Sequence, residues 1–260
     1  MTQSISIMIE HLWYRYIAKY TICISIITAV TIATTIAFSY FIFSSSFSQF
    51  SDYNLFPMEA FAQAQSHGEN STLSLFNLIK QDSPYQGSTS APVILIDFSD
   101  LQCKLCQRFV KSTEPQINST YVQTGKVILI FKHLPNRGFD SLPASLAAQC
   151  TNDQGKFWQF HNFLYNVQGP IDSGWASKDN LEKLALQVPG LDIQKFKSCF
   201  ENQKYKSKID VDIALAHSLG YMQTPSFVIV KSDGSNPQKL EGPQPFPEFK
   251  AVIDRELGES

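Results

Sequence analysis

The chain alternates short apolar runs with amphipathic stretches, and their order predicts an α/β fold. Residues 92–98 and 126–133 are short runs rich in β-branched apolar residues, which are typical of buried strands. Between them a helical pattern begins at Cys103 and is interrupted near Pro115. A strand, a helix and a strand within roughly 40 residues predict a βαβ unit with a parallel pair of strands.

An all-helical block follows, and after it the chain returns to strands. Residues 140–220 show no strand pattern, and turn signals separate five segments in which apolar residues recur at helical spacing. The five segments are 141–150, 156–165, 178–187, 193–202 and 206–219. Two more predicted strands, 225–230 and 238–241, flank a turn at 232–234, and an amphipathic helix at 247–257 follows them. This order predicts a helical insertion, at about 140–220, between the two halves of one sheet.

The N-terminal region contains a segment suited to a membrane. Residues 21–43 (TICISIITAVTIATTIAFSYFIF) carry no charge and are long enough to cross a bilayer core of about 30 Å. Arg15 and Lys19 precede this segment, and no Lys or Arg follows it until Lys80, so the positive-inside rule places the N-terminus in the cytoplasm. We therefore expect a single-pass membrane protein with a cytoplasmic tail at 1–20, an uncleaved signal anchor at 21–43 and an extracytoplasmic remainder. A cleaved signal peptide is the alternative.

The segment between this span and the first strand predicts a tether. Residues 44–86 are rich in Ser, Gln, Asn and Phe and have no strong periodicity. The loop signal GSTSAP at 87–92 indicates that the folded domain begins near residue 87, and the last predicted helix extends the domain to 258. The formal net charge is -2, and the sequence contains no basic cluster and no Gly-rich phosphate loop, so we expect no nucleic-acid partner.

Two of the five cysteines, Cys103 and Cys106, stand at the junction of the first predicted strand and helix. If Cys103 begins the helix, free backbone N–H groups and the helix dipole stabilise its thiolate, and Lys104 adds a positive charge nearby. Cys106 lies one turn further on, where it can close a disulfide or resolve a mixed disulfide. We therefore predict a redox-active pair. Half of a zinc site and a structural disulfide are the alternatives, although an all-cysteine zinc site usually needs a second Cys-x-x-Cys, which this sequence lacks.

Two further positions suit such a pair. Asp97 lies on the apolar strand six residues before Cys103, and a carboxylate is costly to bury there without a role. It is a candidate to exchange a proton with Cys106, and the alternative is an exposed aspartate at the end of the strand. Pro225 begins a strand although proline removes a hydrogen-bond donor from the sheet. A cis bond between Thr224 and Pro225 would expose the backbone of Thr224 to an extended substrate, although isolated X-Pro bonds are usually trans.

The remaining sulfur-containing residues leave several alternatives. Met222 stands three residues before Pro225, and its thioether beside the thiolates of Cys103 and Cys106 would suit Cu(I) or Zn(II) as a metal site. Its other interpretation is an apolar contact in a substrate groove.

Cys150 and Cys199 both fall in the helical block, and we expect them to pair as a structural disulfide in an oxidising compartment. Two free buried thiols and an auxiliary redox pair are the alternatives. Cys23 lies inside the predicted span and is read as a small apolar residue.

Five segments together resemble the DsbA-like branch of the thioredoxin superfamily, and the resemblance covers residues 87–258. The segments are APVILIDFSDLQCKLC, TGKVILIFKHLP, AAQCTNDQGKFWQFHNFLY, GYMQTPSFVIV and LEGPQPFPEFKAVID. The resemblance implies a thioredoxin fold with an inserted helical subdomain and a redox-active disulfide in place of a cofactor. It also implies that Cys103 is the nucleophile, Cys106 the resolving cysteine, Asp97 the buried acid and Pro225 the cis-proline.

The dipeptide between the two active cysteines departs from the family pattern. It is Lys104-Leu105, whereas the best-known oxidases of the family carry Pro-His and thioredoxin carries Gly-Pro. This dipeptide strongly influences the reduction potential, and therefore the direction in which electrons flow.

The sequence thus predicts a membrane-anchored thiol-disulfide oxidoreductase that introduces disulfides into exported proteins. We expect its substrates to be reduced or unfolded exported chains, bound in a groove beside Pro225 and bordered by Thr224 and Met222. A membrane partner is expected to reoxidise it. We expect a monomer, because residues 44–86 look too short for the dimerisation domain of the isomerases in this superfamily. A metal-binding module and a disulfide reductase or isomerase are the alternative functions.

Overall fold

The computed structural model describes residues 77–78 and 82–259. The predicted tail at 1–20, the predicted span at 21–43 and most of the predicted tether at 44–86 therefore lie outside the described residues. Within the described part, no helix combines the length and the apolar character that crossing a bilayer requires.

The described part is a mixed sheet with helices packed on both faces. Its strands are β1 (Tyr85–Gln86), β2 (Val93–Ser99), β3 (Val127–His133), β4 (Ser226–Lys231) and β5 (Gln238–Glu241). Its α-helices are α1 (Lys104–Ser112), α2 (Glu114–Ile117), α3 (Ser141–Asn152), α4 (Phe157–Val167), α5 (Lys178–Ala185), α6 (Ile193–Glu201), α7 (Lys206–Ser218) and α8 (Phe246–Leu257). A π-helical turn, Asn118–Val122, continues α2. The insertion predicted at about 140–220 corresponds to α3–α7.

The sheet has the strand order β1-β3-β2-β4-β5. Strands β2 and β3 are parallel, with Val93 opposite Val127, whereas β4 runs antiparallel to β2 and β5 antiparallel to β4. Every residue of β2 and β3 is buried, as their unbroken apolar runs predict. The predicted order of βαβ, helical block and ββα is confirmed.

The two faces of β2 pack against different helices. Val93 and Leu95 share an apolar cluster with Phe109 of α1, whereas Ile94 and Ile96 belong to a cluster that includes residues of α7. Alternation along the strand produces this division, because successive side chains point to opposite faces.

A third apolar cluster fills the helical insertion and reaches the sheet. It contains Cys103, Cys106 and Phe131 of β3 together with side chains from α3 to α7. The two cysteines therefore lie where the sheet meets the insertion.

A buried ion pair joins α7 to β3. The Nζ atom of Lys132 lies 3.2 Å from Oδ1 of Asp212, and both side chains are fully buried. The other oxygen of Asp212 accepts a hydrogen bond from the backbone N–H of His133 at 3.0 Å. This contact holds α7 against the end of β3.

The start of the domain differs from the sequence prediction. Strand β1 lies inside the predicted tether at 44–86 and pairs antiparallel with β3, with Tyr85 opposite Ile130. The indole N–H of Trp158 also donates to the carbonyl of Tyr85 at 2.9 Å. The ordered fold therefore begins before residue 87, and a strand of two residues is too short to carry an alternating pattern that sequence reading could detect.

The interruption predicted near Pro115 is present. Helix α1 ends at Ser112 and α2 begins at Glu114, so that Pro115 lies in the first turn of the new helix. Proline is tolerated there because backbone N–H groups of a first turn lack helical partners.

A disulfide ties two helices of the insertion together. Cys150 of α3 and Cys199 of α6 are joined across a sequence separation of 49 residues. The cross-link closes a long loop around the core of the insertion, so it restricts the unfolded chain much more than the folded one.

Replacing both of these residues, as Cys150→Ala with Cys199→Ala, should lower the free energy of unfolding by up to about 4 kcal/mol, because the unfolded chain regains the entropy of an open loop. Urea unfolding followed by tryptophan fluorescence measures the difference from the unsubstituted protein. In reducing buffer the two proteins should converge, since neither then carries the cross-link. Equal stability of the two proteins in oxidising buffer would contradict a stabilising role.

Candidate active site

The reactive sulfur predicted from the sequence lies at the start of α1. Cys103 is the N-cap residue of this helix, with extended backbone angles of φ -76° and ψ 120°. The backbone N–H of Cys106 donates to Sγ of Cys103 at 3.5 Å. The helix therefore presents its unpaired N–H groups and the positive end of its dipole to this sulfur.

A buried carboxylate fixes the loop that precedes the helix. Oδ1 of Asp100 accepts the backbone N–H of Gln102 at 2.7 Å, and Oδ2 accepts those of Asn136 and Arg137 at 2.7 and 2.8 Å. The side chain thus joins the loop after β2 to the loop after β3. The backbone N–H of Cys103 also donates to the carbonyl of Asp100 at 2.9 Å, so the same residue places the start of α1.

The segment that contains Thr224 and Pro225 closes the other side of the sulfur. The peptide bond between these two residues is cis. In its protonated form, Cys103 donates through Sγ to the carbonyl oxygen of Thr224 at 3.3 Å. The guanidinium of Arg137 donates to the same carbonyl at 3.0 Å and to the hydroxyl of Thr224 at 3.3 Å. Cys103, Thr224 and Pro225 are therefore brought together, as the sequence predicts.

Hydrogen bonding makes Cys103 an acidic thiol. The hydrogen bond from the side chain of Cys106 lowers the pKa of Cys103 to about 5, and it outweighs desolvation, which raises this pKa. The side chain of Thr224, the backbone N–H of Cys106 and the charge of Arg137 lower the pKa further. At neutral pH, Cys103 of the reduced protein is therefore a thiolate.

Burial has the opposite effect on the two groups behind this sulfur. Desolvation raises the pKa of the Cys106 thiol well above its ordinary value, and the charges of Cys103 and Asp97 raise it further. Asp97 is only 1 % exposed, and desolvation raises its pKa to about 7 although the hydroxyl of Ser99 donates to Oδ1 at 2.5 Å. Asp97 is thus buried beside the cysteines, and its proton is exchangeable near neutral pH.

The dipeptide between the cysteines and Met222 point outward. The ammonium of Lys104 donates to the carbonyl of Gln168 at 3.0 Å, and Leu105 is exposed. Arg137 is a further positive charge that lowers the pKa of Cys103, and the sequence prediction named only Lys104. The side chain of Met222 is 63 % exposed.

The alternative metal site gains no support from this arrangement. Within the described residues, no group of three or more His, Cys, Asp or Glu side chains is placed to hold a metal ion. The two sulfurs of Cys103 and Cys106 instead share a hydrogen bond, and the third proposed ligand, Met222, faces solvent.

Sequence reading missed Asp100 and Arg137. Both act through contacts with residues distant in the chain, since Arg137 lies 87 positions from Thr224. Neither belongs to a motif with fixed spacing. A signal for Asp100 was nonetheless available, because an aspartate directly after a buried strand and before a helix start is typical of a turn that accepts backbone hydrogen bonds.

Comparisons with known proteins agree with this geometry. The sequence matches the family described as thioredoxin over residues 80–255. Among named relatives, the probable disulfide bond formation protein D of Bacillus anthracis is 29% identical over 174 residues, which cover 66% of this chain and 76% of that protein. The putative protein-disulfide oxidoreductase RP025 of Rickettsia prowazekii is 24% identical over 147 residues, which cover 55% of this chain and 52% of that protein.

Solved structures show the same fold. Oxidised BdbD from Bacillus subtilis superposes with a TM-score of 0.60 at 24% identity, over 68% of this chain and 94% of that one. The alpha-DsbA1 protein of Wolbachia pipientis superposes with a TM-score of 0.59 at 28% identity, over 68% of this chain and 91% of that one. With the family match extending over more than half of its length, this chain belongs to the thioredoxin family, in its DsbA-like branch.

Proposed function

We propose that the chain is a membrane-anchored, extracytoplasmic thiol-disulfide oxidoreductase that introduces disulfides into reduced exported proteins. One observation carries the proposal. An acidic thiol, Cys103, lies at a helix N-terminus beside a buried, weakly acidic thiol, Cys106, and a protonatable carboxyl, Asp97. The names of the relatives, which include disulfide bond formation proteins, support the same activity.

The reaction follows from these three groups. In the oxidised protein a substrate thiolate attacks Sγ of Cys103, and Cys106 leaves as a thiolate that takes a proton from Asp97. A mixed disulfide between Cys103 and the substrate results. A second substrate thiolate then attacks the substrate sulfur of this bond, and Cys103 leaves as a thiolate. The substrate loses two electrons as its disulfide forms, and the Cys103–Cys106 pair gains them.

The acidity of Cys103 favours this direction of electron flow. A thiolate that is stable at neutral pH is a good leaving group, and it stabilises the reduced pair relative to the disulfide. The disulfide is therefore a ready acceptor of electrons. A low pKa of the nucleophilic cysteine makes the disulfide more oxidising, which favours an oxidase over a reductase or isomerase with the same fold.

Exposed apolar side chains near Cys103 support a polypeptide substrate. Eight large apolar side chains are exposed in the described part. Five of them belong to, or directly neighbour, residues whose hydrogen bonds join the loops around the start of α1. The five are Leu105, Phe139, Val167, Ile171 and Met222. The carbonyl of Met222 accepts from the side chain of Asn136 at 2.9 Å. Three residues after Asn136, the side chain of Phe139 is 93 % exposed.

Hydrogen bonds bring the other members of this set to the start of α1. The bond from Lys104 to the carbonyl of Gln168 brings Val167 towards Leu105. The side chain of Gln102 donates to Asp172, which follows Ile171, at 3.0 Å. A reduced, extended chain would bury such side chains, and a folded protein would offer few apolar groups to them. We propose that Thr224 and Met222 border the groove that receives this chain beside Pro225.

The proposed location rests on the sequence. The uncharged segment at 21–43 and the basic residues before it favour a signal anchor with the catalytic domain outside the cytoplasm. Each catalytic cycle leaves the Cys103–Cys106 pair reduced, so an oxidant must restore it. We propose a membrane protein that carries a disulfide or a quinone as that oxidant.

Substitution of the two reactive cysteines should separate their roles. Cys103→Ser should abolish oxidation of a reduced, unfolded test protein. Cys106→Ala, mixed instead with a test protein that already carries disulfides, should attack one of them through Cys103 and accumulate mixed disulfides that survive on non-reducing gels. Loss of free thiols from the test protein, mixed with stoichiometric oxidised enzyme, measures the activity. The double variant Cys150→Ala with Cys199→Ala is the matched control and should retain activity. Oxidation by Cys103→Ser at the normal rate would reject the proposal.

The reactivity of Cys103 should depend on pH with a midpoint near 5. Because the thiolate is the reacting species, alkylation of the reduced protein by iodoacetamide should stay constant from neutral pH down to about 6 and fall as pH drops through about 5. Arg137→Gln removes a positive charge beside the sulfur and should raise this midpoint. A midpoint near the ordinary cysteine value of about 8.5 would remove the basis for a strongly oxidising pair.

The location has its own test. In intact cells expressing the full-length protein, a membrane-impermeant maleimide should label Cys103 after mild reduction, and the protein should stay in the membrane pellet after alkaline carbonate extraction. Cys103→Ser should lose the label and keep the same fractionation. Release into the soluble fraction would show that the segment at 21–43 is not a retained anchor.

A further inference from the structure

A second buried carboxyl lies behind the reactive pair, and the reaction described above does not use it. Glu114 is the first residue of α2 and is 3 % exposed. Its Oε1 atom accepts a long hydrogen bond of 3.5 Å from the side chain of Asn118. Its Oε2 atom is buried and has no hydrogen-bond partner within the described part of the chain. A carboxyl left half unsatisfied in the interior destabilises a fold, so its presence calls for a reason.

One side of Glu114 faces the active site. Asp97 continues the row of Val93 and Leu95 on one face of β2, and these two residues pack in the cluster that contains Phe109 of α1. Helices α1 and α2 therefore cover the face to which Asp97 points. Desolvation raises the pKa of Glu114 to about 8, and the charge of Asp97 raises it further. The two carboxyl groups therefore interact electrostatically.

Glu114 also borders a cleft that opens to solvent. Glu114 lines an open cleft of about 450 Å³ between α1, the π-helical turn and α4. Its polar lining consists of Lys111, Asn118, Gln123, Asn162 and Asn166. The charged neighbours of Glu114 are Lys111 on α1, which lines the cleft, and Asp97 on β2. Helix α4 contributes neutral amides to the cleft. Water in this cleft can exchange protons with Glu114.

Asp97 needs such a connection. It is fully enclosed, and in the proposed reaction it gives a proton to Cys106 each time the disulfide is reduced. Before the next cycle it must regain a proton, and on reoxidation it must release one. Cys106 is also fully buried, so neither group can exchange with bulk water directly.

We propose that Glu114 carries protons between Asp97 and the solvent-filled cleft, an inference that rests on the proposed function. When Cys106 leaves as a thiolate it takes the proton of Asp97. Asp97 then regains a proton from Glu114 through one intervening water, and Glu114 takes one from water in the cleft. On reoxidation each proton moves in the opposite direction. No electrons pass through Glu114, and each cycle takes up and releases one proton along this path.

The test isolates the step in which Cys106 must lose its proton. Reduced full-length protein in detergent is mixed with glutathione disulfide, which forms a mixed disulfide at Cys103, and the release of the second glutathione reports the attack by Cys106. Glu114→Gln keeps the shape of the protonated side chain and cannot release a proton. Glu248→Gln removes an exposed acid from α8 and is the matched control.

In weak buffer, Glu114→Gln should slow this second step about a hundredfold or more, as expected for a lost proton-transfer group. Added imidazole, which is small enough to enter the cleft, should restore much of the rate. Glu114→Asp retains a titratable group and should fall between the two, while Glu248→Gln should match the unsubstituted protein. Melting temperatures of all variants check that they are folded, and Glu114→Asp alone tests the imidazole response if Glu114→Gln does not fold.

Two results would overturn the relay. Glu114→Gln could react at the normal rate, or it could react slowly without any response to imidazole, which would make Glu114 a structural group. Failure of the oxidised unsubstituted protein to oxidise the reduced, unfolded test protein would instead reject the proposed function. The two failures are therefore distinguishable.

Discussion

The arrangement of the active site depends on the carboxylate of Asp100. Its two oxygens accept three backbone N–H groups, one from its own loop and two from the loop after β3. These bonds hold the start of α1, and therefore Cys103, against the segment that carries Arg137. A carboxylate with three donors is satisfied without a cation, so the guanidinium of Arg137 remains available to Thr224 and to the charge on Cys103.

The site stabilises a negative charge on Cys103 and disfavours one on the groups behind it. Burial raises the pKa of Asp97, Cys106 and Glu114, so a charge on any of them is disfavoured in the interior. Cys103 alone combines a helix N-terminus, nearby hydrogen-bond donors and a positive charge. Because charges within one small cavity repel each other, ionisation of Cys103 itself helps to keep its neighbours protonated.

Much of the fold and the centre of the site could be predicted from the sequence, because both are encoded locally. The apolar runs that form β2 and β3 and the helical spacing of α3–α7 are visible in short windows of sequence. Strand β1, Arg137 and Glu114 could not be predicted. The strand has two residues, and the two side chains gain their importance from partners far away in the chain. The pairing of Cys150 with Cys199, expected because both fall in the helical block, is confirmed, and the packing of α3 against α6 brings the two residues together.

The disulfide between Cys150 and Cys199 has to form after the chain has been synthesised. Both cysteines are reduced when the chain leaves the ribosome. The helical insertion is therefore complete only after their two thiols have lost two electrons. The maturation of each new copy therefore depends on an electron acceptor that existed before it. If the protein acts as proposed, an older copy is chemically able to be that acceptor, and the supply of finished enzyme then grows with the amount already present.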